Sequence, residues 1–245
     1  MSTSRKVLFT LASLGLAAFA ACPASAQSLI TNGSFEANSF VTYPGYVNVG
    51  NGTIDSWTSN NNFSGLNPFS GPSKFGGQSP FANNGVSPDG GNIAFLETGN
   101  NIGAQSNSIG TTTLTQTLKG LTTGQTYQVS FYDNSRSFQD DPILSLLLDN
   151  NQIYTSGTGI KPVGGSTQYN FVTTSFIASA ASQNLTFSST SATSGGDATA
   201  LIDGVKVNAS AAPEPSQIGM LALVAAGLGA LVLKARKRSA APQAA

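Results

Sequence analysis

The chain of 245 residues carries 11 Lys and Arg against 11 Asp and Glu, and only 9% of it is charged. It has no histidine and one cysteine, which removes the usual Ser-His-Asp and Cys-His constellations and the common zinc sites. The balance is set by two basic ends: between Ser28 and Ser210 ten acidic residues face five basic ones, a net charge of −5 with no basic patch suited to nucleic acid.

At the N-terminus, Arg5 and Lys6 precede an apolar stretch from Val7 to Ala21, and Ala24-Ser25-Ala26 stands before Gln27 as an A-x-A site. The pattern predicts a signal peptide over residues 1–26, removed by signal peptidase. Cys22 could be a lipobox cysteine, but Phe19 stands where an aliphatic residue is usual. Cleavage after Ala26 leaves a domain with no cysteine and no disulfide, so its stability must come from core burial, with or without a metal.

Residues 27–210 are long enough for one domain with a sizeable core. They are rich in Ser, Thr, Asn and Gly, which suits strands and turns and opposes long helices. Leu29 to Glu36 is expected to open the domain as a short strand with a turn, residues 37–52 to be loop, and Ile54 to Trp57 to start a strand anchored by Trp57. Asn60 to Gly91 reads as one long Asn/Gly/Pro-rich loop dotted with phenylalanines; loops of that length are uncommon in compact domains.

From Asn92 onward the strand signals are clear. Asn92 to Glu97 is apolar enough to be buried. Thr111 to Leu118, Gln125 to Asp133 and Ile143 to Asp149 alternate with period two. Ile153-Tyr154, Gln168 to Ile177, Gln183 to Ser188 and Thr199 to Val207 complete eight to ten strands. The expected fold is all-β, a two-sheet antiparallel sandwich with Trp57, Phe95, Tyr127, Phe131, Leu146, Phe187 and Ile202 in its core.

Residues 211–217 form a linker containing Pro213-Glu214-Pro215-Ser216. An apolar run of sixteen residues follows over 218–233, rising about 24 Å as a helix, slightly short of a full hydrocarbon core. The tail, 234–245, begins Lys234-Ala235-Arg236-Lys237-Arg238 and should stay cytoplasmic. Pro213, Glu214 and Pro215, then an apolar helix, then an Arg-rich end, resemble the PEP-CTERM sorting signal of Gram-negative bacteria that make exopolysaccharide. That resemblance implies recognition and cleavage by an exosortase, a membrane anchor before processing, and a final place at the cell surface or in the extracellular matrix.

The domain carries a second resemblance. Asn32-Gly33-Ser34-Phe35-Glu36, Trp57, Pro88-Asp89-Gly90-Gly91-Asn92-Ile93-Ala94, Thr115-Gln116-Thr117-Leu118, Gly124-Gln125-Thr126-Tyr127 and Leu201-Ile202-Asp203-Gly204-Val205 occur in order. Together they look like a galactose-binding-like jelly roll, similar to carbohydrate-binding modules of families 4 and 9 and to DUF642 domains. The insertion between Trp57 and Asp89 departs from the shorter link usual there. The resemblance implies a structural Ca²⁺ held by the side chains of Glu36, Asp89 and Asp203 and by backbone oxygens of Ser34 and Asn92. Calcium chemistry agrees, since it takes six to eight oxygen ligands and tight Gly-rich turns expose carbonyls.

The leading functional expectation is a non-catalytic exported protein that binds polysaccharide. Tyr43, Tyr46, Phe69, Phe75 and Phe81 in Asn-rich loops are the candidate sugar-stacking residues, and Arg136 is a candidate donor to a sugar or uronate. Two alternatives stand beside it. One is a structural matrix protein with no glycan ligand. The other is a glycoside hydrolase, whose carboxylates would come from Glu97, Asp133, Asp140 and Asp141.

Overall fold

In a computed structural model of the chain, the described residues are 27–38, 47–48, 53–68, 84–99, 110–136, 140–193 and 196–210. Among them are eleven strands. They are β1 (Val47–Asn48), β2 (Thr58–Ser59), β3 (Ser64–Pro68), β4 (Asn92–Gly99), β5 (Thr112–Lys119), β6 (Thr126–Ser135), β7 (Pro142–Leu148), β8 (Asn151–Thr155), β9 (Asn170–Ile177), β10 (Ser182–Ser191) and β11 (Asp197–Ala209). They form a six-stranded sheet in the order β1-β3-β4-β11-β6-β9 and a five-stranded sheet in the order β2-β5-β10-β7-β8. All ladder pairings are antiparallel. The arrangement is the expected all-β sandwich of two antiparallel sheets, consistent with a jelly roll.

Alternation decides which side chains meet between the sheets. Leu144, Leu146 and Leu148 of β7 and Leu185 and Phe187 of β10 face Val129 and Phe131 of β6 and Ile202 of β11 in one cluster. Aromatic rings run through it from Phe35 to Trp57, 5.6 Å between centroids, then Phe187 at 6.1 Å, Phe131 at 5.0 Å and Tyr154 at 5.5 Å. Full burial of one such ring contributes roughly 1.5–3 kcal/mol.

Of the expected core residues, Trp57, Tyr127, Phe131, Leu146, Phe187 and Ile202 belong to this cluster. Phe95 is buried too, but on the opposite face of the six-stranded sheet, with Ile93, Leu201 and Tyr169. That second cluster explains the unbroken apolar run Ile93 to Leu96 in β4: it is covered on both faces. The cover comes from two segments. One is 84–91, and the other is 157–169, joined to it where Val86 bridges Gln168. Asn134 on β6 ties both down, donating to the carbonyls of Asn84 at 2.7 Å and Val163 at 3.2 Å and accepting from the Val163 amide at 2.9 Å.

Three local expectations are corrected. Leu29 to Glu36 is not a strand: Asn32 and Phe35 take positive φ, 54° and 60°, which turns the chain. The segment still runs beside β11, through Leu29 N to Val207 O and Val205 N to Gly33 O. Ile54 to Trp57 is a turn closed by Trp57 N to Ile54 O, and the strand begins only at Thr58. The stretch from Asn60 to Gly91 is not all loop, because Ser64–Pro68 pairs with β4. Residues 1–26 and 211–245, with the signal peptide, sorting motif and C-terminal helix, lie outside the described residues, as do Tyr43, Tyr46, Phe69, Phe75 and Phe81. Among the described residues no helix is long and apolar enough to cross a membrane.

Candidate functional site

The outer face of the six-stranded sheet carries three groups of functional side chains. The first surrounds the turn 87–92. Asp203 on β11 is fully buried, and its carboxylate accepts from Ser87 Oγ at 3.2 Å, the Asp89 amide at 2.9 Å and the Gly204 amide at 2.7 Å. From the opposite side, Glu36 Oε1 accepts from the amides of Gly91 and Asn92 at 2.7 and 2.5 Å. Gly90 is required here: its φ is 103°, and a Cβ would sit 2.5 Å from Glu36 Oε1. Asn92 Nδ2 donates to the carbonyl of Phe35, next to Ser34. Burial pushes Asp203 up to about 7, with the charge of Asp89 adding, against the three donors that pull it down.

The fold therefore brings Glu36, Asp89, Asn92 and Asp203, four of the five residues named for calcium, to one turn. The carboxylates of Glu36 and Asp203 are turned onto backbone amides, and that of Asp89 faces Lys206. Among the described residues no three acidic side chains group to hold a metal ion. The chemistry of the set still suits a hard cation. Three carboxylates stand against one ammonium, Lys206, 3.7 Å from Asp89.

The second group lies at the far end of the same face. Arg136 donates to Asp197 at 3.0 Å, Thr199 Oγ1 donates to the other Asp197 oxygen at 3.0 Å, and Thr199 lies across the ladder from Glu97. Burial pushes Glu97 up to about 7, the Asp197 charge adds to it, and Arg136 opposes it. Of the other hydrolase candidates, Asp141 pairs with Lys161, and Asp140, whose amide donates to Asp197 O at 2.9 Å, accepts from Thr193 Oγ1 at 2.7 Å.

The third group is an aromatic pair. Tyr132 on β6 and Phe171 on β9 are register partners with ring centroids 5.0 Å apart. Tyr132 lies over the bulge of β11, where Gly204 leaves room; a Cβ there would meet Tyr132 Cδ2 at 3.0 Å. Phe171 is 60% exposed. Sequence reasoning placed the stacking aromatics in loops and missed this pair. The available signal was broken alternation, since Phe171-Val172 and Phe176-Ile177 are adjacent apolar pairs and one member of each must face outward.

One rung further along the ladder, Asp133 and Asn170 are partners on the inner side. There a pocket of about 250 Å³ opens between β8 and β9.

No family model matches the chain, and no curated protein matches it. Solved structures do. A family 61 carbohydrate-binding module in complex with β-1,4-galactotriose is 12% identical over 75% of this chain and 99% of its own, with a TM-score of 0.45. A family 22 xylan-binding domain from Paenibacillus barcinonensis is 11% identical over 68% and 94%, with a TM-score of 0.41. An arabinose-bound family 51 α-L-arabinofuranosidase is 14% identical over 75% of this chain but 26% of its own, with a TM-score of 0.42.

Proposed function

We propose that the chain is an exported, non-catalytic protein of a Gram-negative cell surface or extracellular matrix, whose sandwich binds polysaccharide. The observation that carries this reading is the Tyr132–Phe171 pair on the outer sheet face, with Phe171 60% exposed. An aromatic ring that is left in water on a flat β surface offers a platform for the apolar face of a sugar ring. Ser130 and Thr173 are register partners on the same two strands and add hydroxyl groups beside it. Such a mix of one apolar anchor and a few polar groups fixes both affinity and orientation. The absence of histidine and the separate partners of Asp140, Asp141 and Asp197 support the non-catalytic reading.

Export by the signal peptide, anchoring by the C-terminal helix and release by an exosortase at Pro213-Glu214-Pro215 complete the proposal. The sugar polymer of choice is then exopolysaccharide in the same matrix. Calcium at the turn formed by Glu36, Asp89, Asn92 and Asp203 is proposed with it, supported by the surplus of carboxylates there.

Affinity gel electrophoresis in a panel of soluble β-glucan, xylan, galactan and the host's own exopolysaccharide tests the reading. The protein should be retarded by at least one polymer, and Phe171→Ala should weaken retardation roughly 3–10-fold. A protein that runs unretarded in every gel would be a structural matrix component without a glycan ligand.

A further inference from the structure

β8 and β9 are the edge strands of opposite sheets; Thr174 Oγ1 donates to Ile153 O between them at 2.9 Å, and a pocket opens beside that contact. The pocket there is lined by Asp133, Tyr154, Ser156, Thr158, Asn170 and Val172, with Lys161 also lining it. Asp133 points inward and is 3% exposed. It receives Asn170 Nδ2 at 3.2 Å on one oxygen and the Tyr154 hydroxyl at 3.4 Å on the other. Both contacts are long for bonds to a carboxylate, which run about 2.5–2.9 Å. A carboxylate can accept about four hydrogen bonds, so half of its capacity is unspent.

Asp133 has no cation partner among the described residues. Among the described residues the ion pairs are Arg136–Asp197, Lys161–Asp141 and Lys206–Asp89. Lys161, which lines the pocket, is committed to Asp141. Burial holds the Asp133 carboxyl above its ordinary range, against the two donors. A buried carboxylate so placed works against folding. The inward positions before it on β6, Val129 and Phe131, are apolar and belong to the core. Apolar packing alone does not call for an acid at position 133; the carboxylate joins Asn170 of β9 and Tyr154 of β8 and keeps acceptor capacity for a ligand.

We propose that this side pocket takes a single neutral sugar ring end-on, with two adjacent hydroxyls donating to the oxygens of Asp133. The surrounding groups match a polyol. The Asn170 amide and the Tyr154 and Thr158 hydroxyls can each donate or accept. Val172 and the Tyr154 ring give the apolar wall that a sugar's C–H face needs. Asp133 repels an anion, and Lys161, paired with Asp141, brings no unpaired charge to the mouth. Size selects one ring: about 250 Å³ is below the roughly 300–1,000 Å³ of drug-sized sites. The inference rests on the polysaccharide reading and adds recognition of chain ends. The aromatic pair on the outer face of β6 and β9 takes a chain along its length.

The full chain in a sugar-free detergent is titrated with the methyl glycosides of glucose, galactose and mannose, using saturation-transfer NMR and calorimetry. At least one glycoside should bind. Asp133→Asn should weaken it about tenfold or more while melting at the same temperature as the parent or higher, because a buried charge is removed. Tyr154→Phe should weaken it by a smaller factor. Wild-type protein that binds none of the three overturns the proposal, and so does an Asp133→Asn protein that binds as well as the parent. Retardation of the wild type in polysaccharide gels, measured alongside, separates the two ideas. Retardation without glycoside binding sinks only the pocket, and glycoside binding without retardation sinks only the sheet-face reading.

Discussion

Arg136 and Asp197 are joined at 3.0 Å across the end of the six-stranded sheet, with side chains only 20% and 12% exposed. The arginine expected to serve a sugar is thus engaged in the fold. Its backbone amide is also used, donating to Thr199 O at 3.0 Å. What it compensates is an acidic end of the sheet, where Glu97 and Asp197 stand together.

That arrangement fixes a pH dependence. Glu97 is raised from its ordinary 4.5 to about 7, first by burial and then by Asp197. The folded state therefore holds a proton that the unfolded chain has released between those values. Its stabilising contribution is complete below about pH 4.5 and is lost as pH rises to about 7. Glu97→Gln, which keeps the shape and removes the charge, should leave the melting temperature at pH 4 unchanged. At pH 8 it should raise it by about 2–4 °C, for roughly 1 kcal/mol. Calorimetric melts of both proteins across pH 4–8 check this, and equal slopes would refute it.

Phe187 is the hinge of the aromatic series in the main core, fully buried between Trp57 and Phe131. It sits on β10, the strand between β5 and β7, so rings from both sheets close around it. Phe187→Ala should cost about 3–5 kcal/mol in urea unfolding. A loss below 1 kcal/mol would mean that the two sheets do not meet there.

Much of this fold is legible because its strands are half-buried. β6, β7 and β10 alternate, and the pattern alone assigns their inner faces. Where the structure departs, local conformation or long-range cover has overridden the pattern. Asn32 and Phe35 turn the opening segment in spite of its apolar residues. Ser64–Pro68 reads as loop, yet it pairs with β4, whose own two-sided burial comes from segments distant in sequence. The turn site was partly legible, since Glu36, Asp89, Asn92 and Asp203 do meet. The Asp133 pocket was not, because Tyr154 and Asn170 reach it from two strands in different sheets, 21 and 37 residues away.

The tail yields a prediction independent of the sandwich. Pro213-Glu214-Pro215 stands between the folded domain and an apolar run of sixteen residues with a basic end. If an exosortase removes that anchor, mass spectrometry of protein recovered from the cell surface should find a C-terminus near residues 213–216. Intact Arg238 at the surface would contradict it.

Calcium at the turn 87–92 makes the last prediction. Glu36, Asp89 and Asp203 surround it, and among the described residues Lys206 is the one cation paired there. Among the described residues Glu36 and Asp203 have no cation partner, and Asp203 is fully buried. A bound divalent cation would compensate them and tie the opening segment to β11, which otherwise meet through Leu29–Val207 and Val205–Gly33 backbone bonds. Because such an ion binds only the folded chain, it stabilises by RT ln(1 + [Ca²⁺]/Kd), about 2.7 kcal/mol at a hundredfold excess over Kd. Excess chelator should therefore lower the melting temperature by roughly 5–10 °C, and added calcium should restore it. Asp203→Asn preserves the shape of the side chain and removes its charge, so its melting temperature should respond far less to either treatment. Glu36→Gln should behave likewise from the other side of the turn. The control is magnesium, which demands a tighter octahedral shell at about 2.0–2.1 Å and should not replace calcium at this site. A parent protein verified as metal-free that melts at one temperature with and without calcium would show that the carboxylates serve only the amides they now hold.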